Sequence, residues 1–447
     1  MRLSAWPAVL SVAVLTACTA SSNEVEPPEA QLFFPTGMAL SPDESRLFIA
    51  NANSDLHFNS GSINVIDLEK VSVTADAWIH RTGKDAPAGC TQDTDFSETA
   101  FCDASQYIDA AAGVRTGSFA TAIGVQDKGD GNLRLLVPVR GDPSITWIEY
   151  DKASSSLRCS ADTTGFALCD DAHRLLQLRN DSSLPALPSE PYDIHVDSGN
   201  QFAIVTHLTS GTVSLVDTPA NGTPVLADAI SGLFNADPDT NVVGATAVGG
   251  RTPGDPDGLV YVASRSENRI QTFGVVRQRD ELPVLVPTTF FFLDGVGLNA
   301  GQSRDSRGIA FGDGGDRMYA INRRPPSLQV IDTSIGADGT PRHETLRATD
   351  ICRQASKLVL ADAGAGDHAY VSCFGDGSVF VIDPRSDLMV QRIVTVGRGP
   401  YDVVAAPSRR LLFVSNYLEN TIAVIDLTPG APTENQVVLR LGEPKKK

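Results

Sequence analysis

The chain has 447 residues, with 54 acidic against 36 basic side chains and a formal charge of −18 at pH 7. An acidic surface of this kind repels polyanions, and no basic stripe opposes it, so the composition argues against nucleic-acid binding. The length alone would suit two or three domains. However, 38 glycines and 27 prolines separate short runs rich in Val, Ile and Thr, which predicts an all-β chain of many short strands.

The N-terminus predicts export. Arg2 precedes an apolar run from Ala5 to Val14, which has signal-peptide proportions and is too short to cross a bilayer as a mature helix. The next four residues, Leu15-Thr16-Ala17-Cys18, resemble a bacterial lipobox. The resemblance implies removal of a signal peptide, residues 1–17, and attachment of lipid to Cys18. The alternative is an ordinary cleaved signal peptide with an incidental cysteine.

Residues 18–30 are polar and contain proline, as expected of a flexible tether between the lipid and a folded body. Thr19 rather than Asp follows the cysteine. By resemblance to known sorting patterns, this favours the outer membrane over the inner membrane. We therefore expect an extracytoplasmic protein, held to the membrane through its N-terminal lipid only.

Six cysteines remain beyond Cys18, and an even number in an exported chain predicts disulfide bonds. Fifteen pairings are possible in principle. The cysteines lie in three sequence-local couples, and none has the CxxC spacing of zinc or redox sites. The predicted bridges are Cys90–Cys102, Cys159–Cys169 and Cys352–Cys373.

One repeated pattern predicts the fold. A strand such as INVID recurs seven times, beginning at Ile63, Ile145, Val213, Ile270, Leu328, Val379 and Ile422. Six copies end in Asp or Glu, which we interpret as a turn cap. Each copy follows an apolar strand, and the last interval, from Val379 to Ile422, fits a four-stranded blade of about 40–45 residues. Residues 31–447 are thus predicted to form a seven-bladed β-propeller of four-stranded antiparallel blades.

Two segments carry a family resemblance: SPDESRLFIANA from Ser41 and LLFVSNYLENTIAVIDL from Leu411. They resemble the YVTN family of seven-bladed propellers, which is itself similar in fold to lactonase-type and haem-d1-type propellers. The resemblance extends from about Phe34 to about Leu441. It implies the fold and leaves the function open, because propellers carry unrelated activities.

The longest interval between repeats contains an insertion at about 81–116, between blades 1 and 2. Its segment ASQYIDAAAGV, residues 104–114, is predicted to form one short helix. The outer strand of the last blade is predicted at Gln436–Leu441. Residues 31–34 could pair beside that strand and close the ring.

No catalytic motif such as HExxH, CxxCH, GxSxG or a P-loop occurs. The seven histidines are scattered without metal-ligand spacing, and the Asp/Gly-rich stretches from Asp127, Gly254 and Gly312 coincide with repeat turns rather than with a calcium loop. The sequence therefore predicts no metal site and no cofactor.

Basic residues recur at one predicted face of the ring. The loops after the second strands and the starts of the innermost strands open on the same face, and together they carry Arg140, His207, Arg265, Arg307, Arg323 and Lys357. Converging arginines suit a carboxylate or a phosphate. The alternative is that these groups pair with neighbouring acids, among them Asp142, Asp193, Glu267 and Asp402.

The main functional hypothesis is a non-enzymatic binding or scaffold propeller, expected to be monomeric. Its partner would be a protein or an anionic small molecule. The alternative is a lactonase-like propeller hydrolase with an Arg/His central site. An electron-transfer propeller is disfavoured because haem attachment motifs are missing.

Overall fold

The structure, a computed structural model, describes residues 25–83, 85–162, 165–251, 258–279, 281–293, 304–364, 366–385 and 387–443. The predicted signal peptide, Cys18 and the first residues of the predicted tether lie outside these ranges. Within them, no helix is both long enough and apolar enough to span a membrane.

Seven sheets, each built from antiparallel blade strands, surround a central axis, which confirms the predicted seven-bladed propeller. Blade 1 and its insertion contain β1 (Pro35–Leu40), β2 (Arg46–Asn51), β3 (Gly61–Asp67), helix α1 (Leu68–Ile79), β4 (Cys90–Gln92), β5 (Ala100–Asp103) and β6 (Val114–Thr116). Blade 2 contains β7 (Gly124–Asp127), β8 (Leu133–Val139), β9 (Ser144–Asp151), β10 (Ser156–Arg158) and β11 (Arg174–Leu175). Blade 3 contains β12 (Pro191–Val196), β13 (Phe202–His207), β14 (Val213–Asp217) and β15 (Val225–Ile230).

The remaining four blades each have four strands of their own. Blade 4 contains β16 (Ala245–Gly250), β17 (Val260–Ser264), β18 (Arg269–Val276) and β19 (Val284–Phe292). Blade 5 contains β20 (Arg304–Gly312), β21 (Arg317–Arg324), β22 (Pro326–Asp332) and β23 (Glu344–Asp350). Blade 6 contains β24 (Ala355–Ala361), β25 (His368–Cys373), β26 (Ser378–Asp383) and β27 (Met389–Thr395). Blade 7 contains β28 (Pro400–Ala406), β29 (Leu411–Asn416), β30 (Thr421–Asp426) and β31 (Gln436–Gly442). Single 3₁₀ turns occur at Ala104–Gln106, Asp171–His173, Leu178–Asn180, Asp313–Gly315 and Pro407–Arg409.

The middle strands are apolar on both sides because each blade packs between two others. Every residue of β29 and of β30 is buried, for example. The predicted turn caps form at three of the acidic residues that end the third strands. Asp332, Asp383 and Asp426 each accept the backbone N–H of the residue two positions later, which fixes the turn that leaves the blade. Glu149 and Asp217 instead pair with basic side chains.

Helix α1 was not predicted. Asp67 begins it by accepting the backbone N–H groups of Glu69 and Lys70, which satisfies two of the free donors of the first turn. Its buried side chains are Leu68, Val71, Ala75 and Trp78. The insertion, predicted from the sequence at about 81–116, thus begins at Leu68, directly after β3.

The prediction of a helix in residues 104–114 is wrong, because only the single 3₁₀ turn Ala104–Gln106 forms there.

The predicted ring closure is also wrong. Residues 31–34 form no strand. Instead, β5 pairs in parallel with β31, and β4 pairs with β5, so blade 7 becomes a six-stranded sheet. We call the β4–β5 hairpin, residues 90–103, the clasp. It reaches from the blade 1 insertion to the outer edge of blade 7, where Thr99 Oγ1 donates to Val437 O at 2.8 Å. One apolar cluster then joins blade 1, α1, the clasp and blade 7.

All three predicted disulfides are present. Cys90–Cys102 links the two strands of the clasp, with 4.0 Å between Cα atoms. Cys159–Cys169 ties the end of blade 2, with 4.7 Å, and Cys352–Cys373 ties the start of blade 6, with 5.7 Å. Bridges of this kind indicate an extracytoplasmic location.

A candidate anion-binding site at the central mouth

The start of each innermost strand meets the end of the second strand at one face of the ring. Pro191 lies opposite His207, and Pro400 lies opposite Asn416. The residues just beyond these positions therefore project around the axis. They line a cavity of about 340 Å³, which we call the central mouth. Its lining includes Arg140, Arg307 and Arg323, together with the rings of Phe119, Tyr192, Phe374, Tyr401 and Tyr417.

The three arginines of the mouth differ in how they are paired. Arg140 Nη2 lies 2.7 Å from Glu190 Oε1, and Arg307 Nε lies 2.6 Å from Asp305 Oδ1. Arg323 instead donates from Nε to Ala355 O at 2.7 Å and from Nη2 to Ser356 Oγ at 3.1 Å.

Among the described residues, Arg323 has no carboxylate within ion-pair distance. Burial, and then the positive charge of Arg307, lower the pKa of Arg323. At its ordinary pKa above 12 this group is charged at neutral pH, and a lowered value remains compatible with that charge. Arg323 is therefore the guanidinium of the mouth that has no acid in direct contact, and Asp305, the partner of Arg307, acts on its charge at longer range.

Two tyrosines share the base of the mouth. The Arg307 Nη1 group donates to the Tyr192 hydroxyl oxygen at 3.1 Å. Burial by itself raises the pKa of Tyr192, but the positive charges of Arg307 and Lys357 outweigh burial, so the pKa is lowered. The opposite holds for Tyr401, where burial and the neighbouring Tyr192 raise the pKa well above its ordinary value. The two hydroxyl groups thus lie in different electrostatic surroundings, with Tyr192 beside the positive charge of Arg307.

A buried charge cluster lies directly below the mouth. Lys357 Nζ lies 2.6 Å from Asp193 Oδ1, with both side chains largely buried. Burial lowers the pKa of Lys357, yet the charges of Asp193 and Asp402 outweigh it and raise the value. Burial raises the pKa of Asp402 to about 6, although its oxygens accept the backbone N–H groups of Met38 and Val403. This cluster links blades 1, 3, 6 and 7 across the axis.

Of the six residues predicted to form an anion-binding face, the structure brings Arg140, Arg307 and Arg323 to one cavity. His207 does not line it. Its ring is fully buried and bonded to Ser189 O at 3.1 Å and Ser214 Oγ at 2.9 Å. Burial lowers the pKa of His207 to about 4, so the ring is neutral at pH 7.

Arg265 and Lys357 do not line the mouth either. Arg265 occupies the equivalent loop of blade 4, and Lys357 is held beneath the cavity by Asp193. Of the neighbouring acids proposed as partners, Asp193 does pair with Lys357. Asp142 instead pairs with Arg174, and Glu267 bonds to Asn235.

The aromatic part of the mouth was missed from the sequence. Phe374 and Tyr417 directly follow the second strands β25 and β29, as Arg140 follows β8. The repeat pattern that places Arg140 and Arg323 at the mouth therefore places Phe374 and Tyr417 there as well, although the predicted anion-binding face did not include them.

Two larger depressions lie away from the axis. One, of about 530 Å³, is bordered by the turns Asp127–Gly129 and Gly199–Gln201 on the opposite face. The other, of about 450 Å³, lies between blades 5 and 6. Their basic side chains already have acidic partners, as in the pairs Arg277–Asp217 and Arg317–Asp332. In the described ranges, no group of three or more His, Cys, Asp or Glu side chains is placed to hold a metal ion.

No protein-family model matches the chain, and no curated protein matches it in sequence. Solved structures of similar fold include a Lactobacillus plantarum protein, with a TM-score of 0.53, 14% identity, and coverage of 79% of this chain and 93% of that one. For a proposed 6-phosphogluconolactonase from Bacteroides fragilis the TM-score is 0.50 and the identity 11%, over 82% of this chain and 85% of that one. For hydrazine synthase of Kuenenia stuttgartiensis the TM-score is 0.50 and the identity 14%, over 90% of this chain and 97% of that one. At these identities the similarity shows the propeller fold, which lactonase-like proteins share.

Proposed function

We propose that this chain is an exported, lipid-anchored propeller that binds a small organic anion at the central mouth. The observation that carries the proposal is the Arg323 guanidinium, which has no carboxylate of the described residues within ion-pair distance and lines a cavity of about 340 Å³. That volume is at the lower end of the range of small-molecule sites. A planar carboxylate would replace water around Arg323 and give its guanidinium a charged partner.

The repeats support membership in the YVTN type of propeller, and Leu15–Cys18 supports a lipid anchor, with the outer membrane favoured by Thr19. The three disulfides agree with export. Replacement of Cys18 by alanine should move the protein from the membrane fraction to the soluble fraction after cell lysis, because a lipid can no longer be attached. Metabolic labelling with a fatty-acid analogue checks the same point. Unchanged membrane fractionation would reject the lipid anchor.

The anion site is tested by replacing Arg323 with glutamine. A charged hydrogen bond is worth about 1.5–3 kcal/mol, so carboxylate affinity should fall about 10- to 100-fold. Titration calorimetry with benzoate, propionate and the neutral benzyl alcohol gives the measurement. The control is Arg353→Gln, since Arg353 is 80% exposed and pairs with Asp376 outside the mouth. Equal affinities in the two variants, or equal binding of the alcohol, would contradict the proposal.

A hydrolase remains the second candidate because the Tyr192 oxygen accepts a hydrogen bond from Arg307 at 3.1 Å, and the positive charges nearby lower the pKa of this hydroxyl. A general base must lie within hydrogen-bond reach of the proton that it removes. The Tyr192→Phe variant keeps the ring and removes the oxygen. Ester or lactone turnover that disappears in this variant would favour the enzyme, whereas binding without turnover in the unmodified protein supports the binding function.

A further inference from the structure

We infer that the ligand of the central mouth is an aromatic monocarboxylate. This inference rests on the proposed anion-binding function and adds the chemical class of the ligand. It depends on how the charged and the aromatic side chains are divided between the two sides of the cavity.

The charged side belongs mainly to blades 2, 3 and 5, which supply Arg140, Tyr192, Arg307 and Arg323. The acids Glu190 and Asp305 each neutralise one guanidinium. Arg323 is the third guanidinium, and no carboxylate of the described residues lies within ion-pair distance of it. The carboxylate of a monoanionic ligand would supply that partner, whereas a doubly charged phosphate ester would place a second negative charge beside guanidinium groups that are already paired, in a partly buried cavity.

Three of the five rings that line the mouth belong to blades 6 and 7, namely Phe374, Tyr401 and Tyr417, and these three form the aromatic side. The ring centroids of Phe374 and Tyr417 are 6.1 Å apart, and those of Tyr401 and Tyr417 are also 6.1 Å apart. Phe34 does not line the cavity, but its ring packs against that of Tyr417, with 5.3 Å between the ring centroids. Three half-buried rings thus present a wall of aromatic surface to the mouth.

The wall is held in place by a close backbone approach. Gly399, with φ +67°, lies in the linker that enters blade 7. A Cβ atom at this position would lie 2.8 Å from Leu418 Cγ and 3.2 Å from Phe374 Cε2. Glycine suits this conformation, and a larger residue would press on the side chains of Leu418 and Phe374. The linker therefore passes close to Phe374, one of the three rings of the wall.

An amphipathic ligand fits this division. Its carboxylate would face Arg323, and its ring would lie among Phe374, Tyr401 and Tyr417 in offset or edge-to-face contact. Such ring pairs contribute about 0.5–1.5 kcal/mol beyond the apolar area that they bury. An aliphatic ring buries a similar apolar area but does not gain the additional energy of the ring–ring contact. Aromatic and saturated carboxylates of equal length should therefore differ in affinity.

The experiment is titration calorimetry of the full protein with trans-cinnamate, 3-cyclohexylpropanoate, glucuronate and cinnamyl alcohol. We expect cinnamate to bind about three- to ten-fold more tightly than 3-cyclohexylpropanoate, from the ring term alone. Cinnamyl alcohol should bind at least about ten-fold more weakly than cinnamate. The Tyr417→Leu variant should lose the preference for cinnamate and keep the affinity for 3-cyclohexylpropanoate.

The matched control is Phe290→Leu, because Phe290 is an exposed ring on β19, outside the mouth. If Tyr417→Leu lowers the melting temperature, the variants Phe374→Leu and Tyr417→Phe are measured in its place. Phe374→Leu should lose the preference for cinnamate, and Tyr417→Phe, which keeps the ring, should retain it. Equal binding of the two ring acids, or tighter binding of glucuronate, would overturn the aromatic class while Arg323-dependent binding survives. If no carboxylate binds, or if Arg323→Gln changes nothing, the proposed function itself fails.

Discussion

Replacement of Lys357 by methionine should lower the free energy of unfolding by about 3–5 kcal/mol at pH 7. The substitution nearly preserves volume, so the loss arises from charge. Asp193 Oδ1 loses an ammonium group at 2.6 Å, and Asp402 remains buried beside it. Two carboxylates are then left near the axis without a cation, in a place where water cannot solvate them fully.

The loss should depend on pH. Burial already raises the pKa of Asp402 from 3.8 to about 6, and removal of the neighbouring cation raises it further. A carboxyl group whose folded-state pKa is raised contributes stability that is complete below its unfolded pKa and is lost as pH rises through the folded value. The difference between variant and unmodified protein should therefore be smaller at pH 4 than at pH 7.

Urea denaturation followed by circular dichroism at both pH values provides the measurement. The control is Lys152→Met, since Lys152 Nζ lies 2.7 Å from Asp43 Oδ2 but the lysine side chain is 59% exposed. Exposed pairs contribute about 0–1 kcal/mol. If the two methionine variants unfold at the same urea concentration at pH 7, the buried cluster does not stabilise the ring.

The second large effect is expected at Trp78. Its replacement by alanine should lower the free energy of unfolding by about 3–5 kcal/mol, because a large buried side chain is exchanged for a cavity. Trp78 is 1% exposed, and its Nε1 donates to Glu98 O at 2.8 Å. It belongs to the apolar cluster that joins blade 1, α1, the clasp and blade 7. The cavity would thus lie at the ring closure itself.

The matched control on the same helix is Val73→Ala, because Val73 is 61% exposed. A surface change of this kind should stay within about 0.5 kcal/mol. Trp78→Phe should fall between the two, since it keeps most of the ring volume and removes the hydrogen bond to Glu98 O. A Trp78→Ala variant as stable as the Val73→Ala variant would show that α1 lies on the propeller without supporting it.

The blades could be predicted from the sequence because their signal is local and repeated. Seven similar third strands needed no knowledge of distant contacts. Helix α1 was missed because Val71, Val73 and Thr74 are β-branched residues that suit strands. The spacing of Leu68, Val71, Ala75 and Trp78 nevertheless follows one helical face. Asp67 both ends β3 and caps the first turn of α1, and the repeat pattern predicts only the first of these two roles.

The clasp could not be predicted in the same way. Its pairing with β31 is parallel and joins residues far apart in the chain, so no turn or repeat marks it. At the mouth, repeat alignment predicted the positions of the arginines but not their ion-pair partners. Glu190 and Asp305 contact Arg140 and Arg307 only through the packing of neighbouring loops, and this packing leaves Arg323 without a carboxylate in ion-pair contact.

The pairing of the clasp with β31 also means that two strands of one sheet are synthesised at very different times. Thr99 and Val437 are 338 residues apart, so β5 is made long before the strand that covers its edge. Until β31 is added, the chain keeps an open strand edge at β5 and an uncovered apolar face on α1, features that favour aggregation. Both are covered only when β31, the last strand described, has been synthesised. A chain terminated before Gln436 therefore differs from the finished protein in a way that proteases and chaperones can recognise.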